Sequence, residues 1–96
     1  MENERTQEQI LESFERLENG KYLFKLTEKI VQGSKEITEF ELFKPKARHM
    51  RQMPSNPKTD DILKIIGALA AQPDSVIDEL SISDMNSLAE FFGAFS

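Results

Sequence analysis

The sequence predicts an α+β fold, mostly helical, with an N-terminal helix, one antiparallel β-hairpin and three to four C-terminal helices. Apolar residues recur at helical spacing near both ends, the period shortens to two between residues 22 and 43, and Gly, Pro and small polar residues fall at the joints. With 96 residues, 39 % hydrophobic and 30 % charged, the chain has the composition of one folded domain with a modest core.

Residues 6–19 place Ile10, Leu11, Phe14 and Leu17 on one face of a helix. Thr6 and Gln9 have capping-box spacing, and Gly20 suits the left-handed residue that often closes a helix. Beyond it Tyr22, Phe24 and Leu26 alternate with Leu23, Lys25 and Thr27 as in a strand, and Phe40 and Leu42 mark one face of a second strand in residues 37–43. Gln32, Gly33, Ser34 and Lys35 supply the turn of this hairpin, and Pro45, with no N–H to give to a ladder, closes it.

Residues 47–53 allow a short helical turn before Pro54, Asn56 and Pro57 make a loop. Thr59 as a cap, with Asp60 and Asp61 behind it, starts a helix whose Ile62, Leu63, Ile65, Ile66, Leu69 and Ala70 form a broad apolar face, as expected of the central core helix. Pro73 stops that helix and opens a short one over residues 74–80. Ser83 is the expected cap of a last helix carrying Met85, Leu88, Phe91, Phe92 and Phe95. The expected organisation is a single domain, 1–96, made of helix 6–19, hairpin 22–43, a basic segment and loop 44–58, and a helical region 59–95.

Catalytic chemistry finds little support. Without cysteine there is no disulfide or thiolate metal site, and a nucleophilic system would have to be built on the one histidine, His49, which reads as a surface residue. The pairs Asp60 with Asp61 and Asp74 with Asp78 sit where helix N-termini favour negative charge, so capping accounts for them better than acid–base work. The scattered glycines form no phosphate-binding loop. The expectation is a binding protein and not an enzyme, with no catalytic residue, cofactor or metal. MENERTQEQ has neither the basic start nor the apolar run of a secretion signal, and no stretch approaches the ~18 apolar residues of a membrane span, so a cytoplasmic protein without a membrane partner is expected.

Two features suggest how it binds. Lys44, Lys46, Arg48, Arg51 and Lys58 fall in residues 42–59, which contain no Asp or Glu. As an electrostatic contact, Lys44, Lys46, Arg48 and Arg51 would meet an acidic protein face; the bland alternative is a solvated linker drawn to the molecule's own acidic helices. A small nucleic-acid-binding regulator using residues 44–58 is the alternative function, but the net charge of −5 and the lack of aromatics apart from Phe43 at the edge weigh against it. The second feature is the apolar stripe. A Phe-rich stripe is most often core, Leu88 and Phe92 above all, yet a domain this small has few elements to cover two strongly apolar end helices. Ile10, Phe14, Leu17, Met85, Leu88, Phe91, Phe92 and Phe95 are therefore the expected partner-binding residues, suited to an amphipathic helix or a second copy of the chain.

The order of motifs from Gly33 onward carries a family resemblance. The run Gly33-Ser34-Lys35-Glu36-Ile37-Thr38-Glu39-Phe40-Glu41-Leu42-Phe43-Lys44-Pro45 is followed by the helix Asp61-Ile62-Leu63-Lys64-Ile65-Ile66-Gly67-Ala68-Leu69. Then come Pro73-Asp74-Ser75-Val76-Ile77-Asp78-Glu79-Leu80 and Asp84-Met85-Asn86-Ser87-Leu88-Ala89-Glu90-Phe91-Phe92. Together they resemble the tail assembly chaperones of contractile-tailed, Mu-like phages, over roughly the last two thirds of the chain. Arg48 and His49 stand where that family carries an acidic residue after the strand's proline. The resemblance implies a non-enzymatic protein of the bacterial host cytoplasm, from phage or prophage. Such a protein binds the long, largely helical tape measure protein, shields its apolar surface while tail-tube protein polymerises around it, and is absent from the mature virion.

Overall fold

The computed structural model describes residues 10, 11 and 14–95. Three antiparallel strands, β1 (Glu15–Arg16), β2 (Tyr22–Gln32) and β3 (Lys35–Leu42), form one sheet in the order β1-β2-β3. Four helices follow among the described residues: α1 (Ala47–Gln52), α2 (Thr59–Ala70), α3 (Asp74–Ile77) and α4 (Ile82–Gly93). The fold is α+β as expected, with one strand more than a single hairpin supplies.

The extra strand comes from the segment expected to complete the N-terminal helix. Ile10 and Leu11 are helical, and residues 6–9, 12 and 13 lie outside the described residues, but the helix does not run to residue 19. Instead Glu15 pairs with Leu23 and Arg16 with Tyr22. The turn between them is held by the Leu17 N–H donating to the Lys21 carbonyl at 2.8 Å and the Gly20 N–H donating to the Leu17 carbonyl at 3.0 Å. Asn19 Oδ1 accepts the Lys21 N–H at 3.0 Å, and Gly20 sits at φ 88°. Asn-Gly is a strong hairpin signal, and here it prevails over the helical spacing of Phe14 and Leu17. Gly20 therefore turns a hairpin where helix closure was expected. Gly20→Ala is expected to cost about 1 kcal/mol, because a Cβ strains positive φ; an unchanged urea midpoint would show that the turn tolerates a side chain.

The β2–β3 hairpin follows the expected pattern. Gln32 pairs with Lys35 around Gly33 (φ 62°) and Ser34, and the pairs Tyr22 with Leu42 and Phe24 with Phe40 put four buried residues on the inner face. The register shifts between Lys25 and Ile30, so the intervening residues of β2 leave the ladder with β3. One of the backbone groups freed there, the Thr27 N–H, is taken by Asp84 from α4, at 3.0 Å to Oδ2 and 3.2 Å to Oδ1.

The helices start and stop close to the expected positions, with different capping residues. Thr59, expected to cap α2, is its first helical residue; the cap is Lys58, whose N–H donates to Asp61 Oδ2 at 3.0 Å. Ser83, expected to cap α4, lies inside it; Ser81 caps, its Oγ accepting the Asp84 N–H at 3.1 Å. Helix α2 ends on left-handed Ala71, and the Gln72 N–H returns to the Gly67 carbonyl at 3.0 Å. A Cβ on Gly67 would lie 3.3 Å from the Gln72 carbonyl oxygen and 3.4 Å from Ile77 Cγ1, so its absence lets the chain fold back tightly onto α2. Regular helix in α3 stops at Ile77, short of the expected residue 80, and continues as tighter turns through Leu80.

Helix α4 packs on β2, and α2 contacts β3, α3 and α4. The core forms between the inner face of the sheet and these helices, with Phe40, Leu42, Ile65, Ile66, Leu69, Ile77, Leu88 and Phe91 among its most enclosed side chains.

Candidate docking surface

The residues expected to bind a partner divide sharply by burial. Phe91 is 0 % exposed and Leu88 1 %, and Phe14 and Phe92 are also buried. In this conformation they present no surface: the reading of Leu88 and Phe92 as core holds, and the expectation that these four residues also bind a partner is corrected. The cover comes from the unforeseen hairpin: the Phe91 ring lies 4.7 Å from that of Phe14 and 5.3 Å from that of Tyr22, the two residues that flank the β1 turn. Ile10, Met85 and Phe95 are half-buried against the core, and Leu17 is half-buried near the turn. Each retains some exposed surface. The large apolar residues that stand exposed are Val31, Phe43, Met50 and, at 74 %, Ile82. Phe43 alone among these was singled out by sequence; Ile82 precedes Ser83, the expected cap of the last helix, and becomes the first residue of α4.

The four expected electrostatic residues fare differently. Lys44, Lys46 and Arg48 line a groove of about 260 Å³ together with Phe43, His49 and Ala68, while Arg51 lies outside that lining on α1. The groove exists because the chain leaving β3 is tied to α2: the Phe43 N–H donates to the Leu69 carbonyl at 2.8 Å. This bond satisfies a carbonyl near the end of α2 and sets the Phe43 ring, 42 % exposed, beside Ala68. The Lys21 ammonium sits 4.6 Å from the centre of that ring, and the Lys44 ammonium 6.0 Å from the centre of the Phe95 ring. Among the described residues none of Lys44, Lys46, Arg48 and Arg51 is in an ion pair; the pairs seen are Lys21 with Glu41, Lys29 with Glu36 and Lys64 with Asp60. All four are exposed.

His49 forms part of this groove and is not the surface residue expected. It is 3 % exposed, and its Nδ1 accepts the Lys46 N–H at 2.8 Å, satisfying one of the free donors at the start of α1. Burial lowers its pKa from the usual 6.5, and the neighbouring positive charge of Arg48 lowers it further. Unfolding therefore takes up a proton at pH values below 6.5, so stability is full above 6.5 and falls as the pH drops through the lowered value. His49→Gln keeps an acceptor for the Lys46 N–H and removes the titration. Urea midpoints of the native protein are expected to fall between pH 7.5 and 5.5, a window above the carboxylates, and those of the variant to stay level. Equal slopes would mean that the ring is not held neutral.

Among the described residues no group of three or more His, Asp or Glu side chains converges to hold a metal ion, and no helix is long and apolar enough to cross a membrane. What the groove combines is an apolar ring, a small floor and three cations that are in no ion pair among the described residues.

A family model described as phage tail assembly chaperone proteins, E, or 41 or 14, matches residues 23–96. It begins ten residues earlier than the motif order that starts at Gly33, so that it takes in nearly all of β2 as well as β3 and α1–α4. No curated protein and no solved structure matches the chain.

Proposed function

We propose, from the premise that this chain belongs to the phage tail assembly chaperone family, that it binds the tape measure protein and keeps it soluble while the tail tube assembles. The observation that carries this reading is the family match over residues 23–96, which includes every helix from α1 to α4. A chaperone family acts by binding and not by catalysis. The exposed Phe43, Met50 and Ile82, together with the cations around Phe43, supply the kind of surface that shielding needs: apolar area to cover client surface and charge to orient it. The net charge of −5 favours solubility of the complex. In this reading the protein works in the cytoplasm of the bacterial host, from a phage or prophage gene, contacts the tail-tube protein only in passing, and is left out of the finished virion.

The test is co-expression with the tape measure protein of the same phage or prophage. The soluble share of the tape measure protein is expected to rise severalfold when the chaperone is present, and the two are expected to elute together in size exclusion. A client that stays in the pellet with the chaperone in excess would defeat the proposal.

A further inference from the structure

We infer that the groove between the end of β3 and α2 is the client-docking site, and that it takes an acidic segment carrying an apolar anchor residue. The identity of the client rests on the chaperone reading above; the chemistry of the segment rests on the groove. At about 260 Å³ the groove is smaller than the ~300–1,000 Å³ clefts that hold drug-sized ligands, and it suits one or two side chains of a peptide. Phe43 and Ala68 offer those side chains apolar contact. Lys44, Lys46 and Arg48 surround them with no ion-pair partner among the described residues.

The charge has a local cause that does not cancel it. The groove lies near the C-terminal end of α2, where the aligned peptide dipoles amount to about half a negative charge, enough to favour cations but far short of balancing three. The remainder is met best by carboxylates brought by the partner, next to the residue that covers Phe43. A nucleic acid fits less well. Of the 12 Lys and Arg, five lie in residues 42–59, leaving seven against all 17 Asp and Glu elsewhere, so a polyanion extending beyond the groove meets acidic surface. Phe43 is the only exposed aromatic ring among the described residues, so a single strand finds one stacking platform and not the succession of rings along which its bases would stack.

Short overlapping peptides covering the tape measure protein, titrated against the full chain by fluorescence anisotropy, test this. The peptides that bind are expected to place Asp or Glu beside Leu, Ile or Phe. Lys44→Glu with Arg48→Glu is expected to weaken them about tenfold or more, and Phe43→Ser by about fivefold, while Arg51→Glu changes affinity less than about twofold. All of these positions are exposed, and circular dichroism establishes that the variants are folded. Absence of any bound peptide, preference for basic or neutral peptides, unchanged affinity in the charge-reversed protein, or displacement of the peptide by a single-stranded oligonucleotide would each overturn the inference. So would loss of self-association in the charge-reversed protein with peptide binding intact, since the occupant would then be a second copy. Co-expression separates the two levels: if the charge-reversed protein solubilises the client as well as wild type, the groove is wrong and the chaperone reading stands; if wild type fails, that reading falls by itself.

Discussion

Phe91→Ala is expected to lower the free energy of unfolding by about 4 kcal/mol, the largest effect of any single substitution considered for this chain. The ring is 0 % exposed and makes three ring contacts, with Phe14 at 4.7 Å, Tyr22 at 5.3 Å and Phe95 at 5.2 Å. Truncation removes the apolar area, leaves a cavity that three rings cannot all move to fill, and forfeits the edge and tilted ring pairings. For a domain of this size such a loss moves the midpoint of thermal unfolding down by roughly 15 °C or more. Phe95→Ala is the comparison. That ring is only half-buried at the end of the chain, and about 1–2 kcal/mol is expected. If Phe91 were a partner-binding surface residue, as the scarcity of covering elements in so small a domain suggested, its truncation would leave the thermal midpoint within a degree or two and impair client binding alone. Calorimetry on the two variants decides between these outcomes.

Asp84→Ala is expected to cost about 2–3 kcal/mol, a large penalty for one carboxylate in a small domain. Asp84 is 1 % exposed and ties two elements that are 57 residues apart. Its oxygens accept the Thr27 N–H at 3.0 and 3.2 Å and the Thr27 hydroxyl at 3.0 Å, while its own N–H donates to Ser81 Oγ. Removing the side chain strands the Thr27 N–H where β2 leaves its ladder with β3, and takes negative charge from the first turn of α4, where the dipole favours it. Thr27→Val removes only the hydroxyl donor, so a loss of about 1 kcal/mol is expected. The double variant should then cost less than the sum of the two, by about 1 kcal/mol, because they share one interaction. Strict additivity in urea unfolding would mean that the Thr27 hydroxyl bond contributes nothing.

Much of the candidate surface was legible from composition alone. A run of five cations with no carboxylate between Leu42 and Thr59 is visible without a fold, and three of those cations do gather at one groove. The groove itself was not legible, because its other wall, Ala68, comes from α2 and is brought beside Phe43 by long-range packing and by the bond from Phe43 to Leu69. His49 was misread for the same reason. Its neighbours in sequence are basic and polar, and its burial is supplied by packing that no local pattern reports. At the N-terminal end two local signals competed, helical spacing through Leu17 and the turn dipeptide Asn19-Gly20, and pairing with β2 decided the outcome. That one decision also governs the apolar stripe, since the hairpin it forms brings Phe14 over Phe91.

By itself the sequence determined the features whose causes are short-ranged: the β2–β3 hairpin around Gly33, the breaks at Pro45 and Pro73, the helices of the second half, and the order of motifs that the family shares. Backbone sterics and side-chain period act over a few residues, so they can be read from a few residues. Only the tertiary structure decided which apolar side chains are enclosed and which stay exposed, and that a carboxylate in α4 completes a break in β2. Burial and long-range hydrogen bonding depend on which element covers which, and that depends on the whole chain closing on itself.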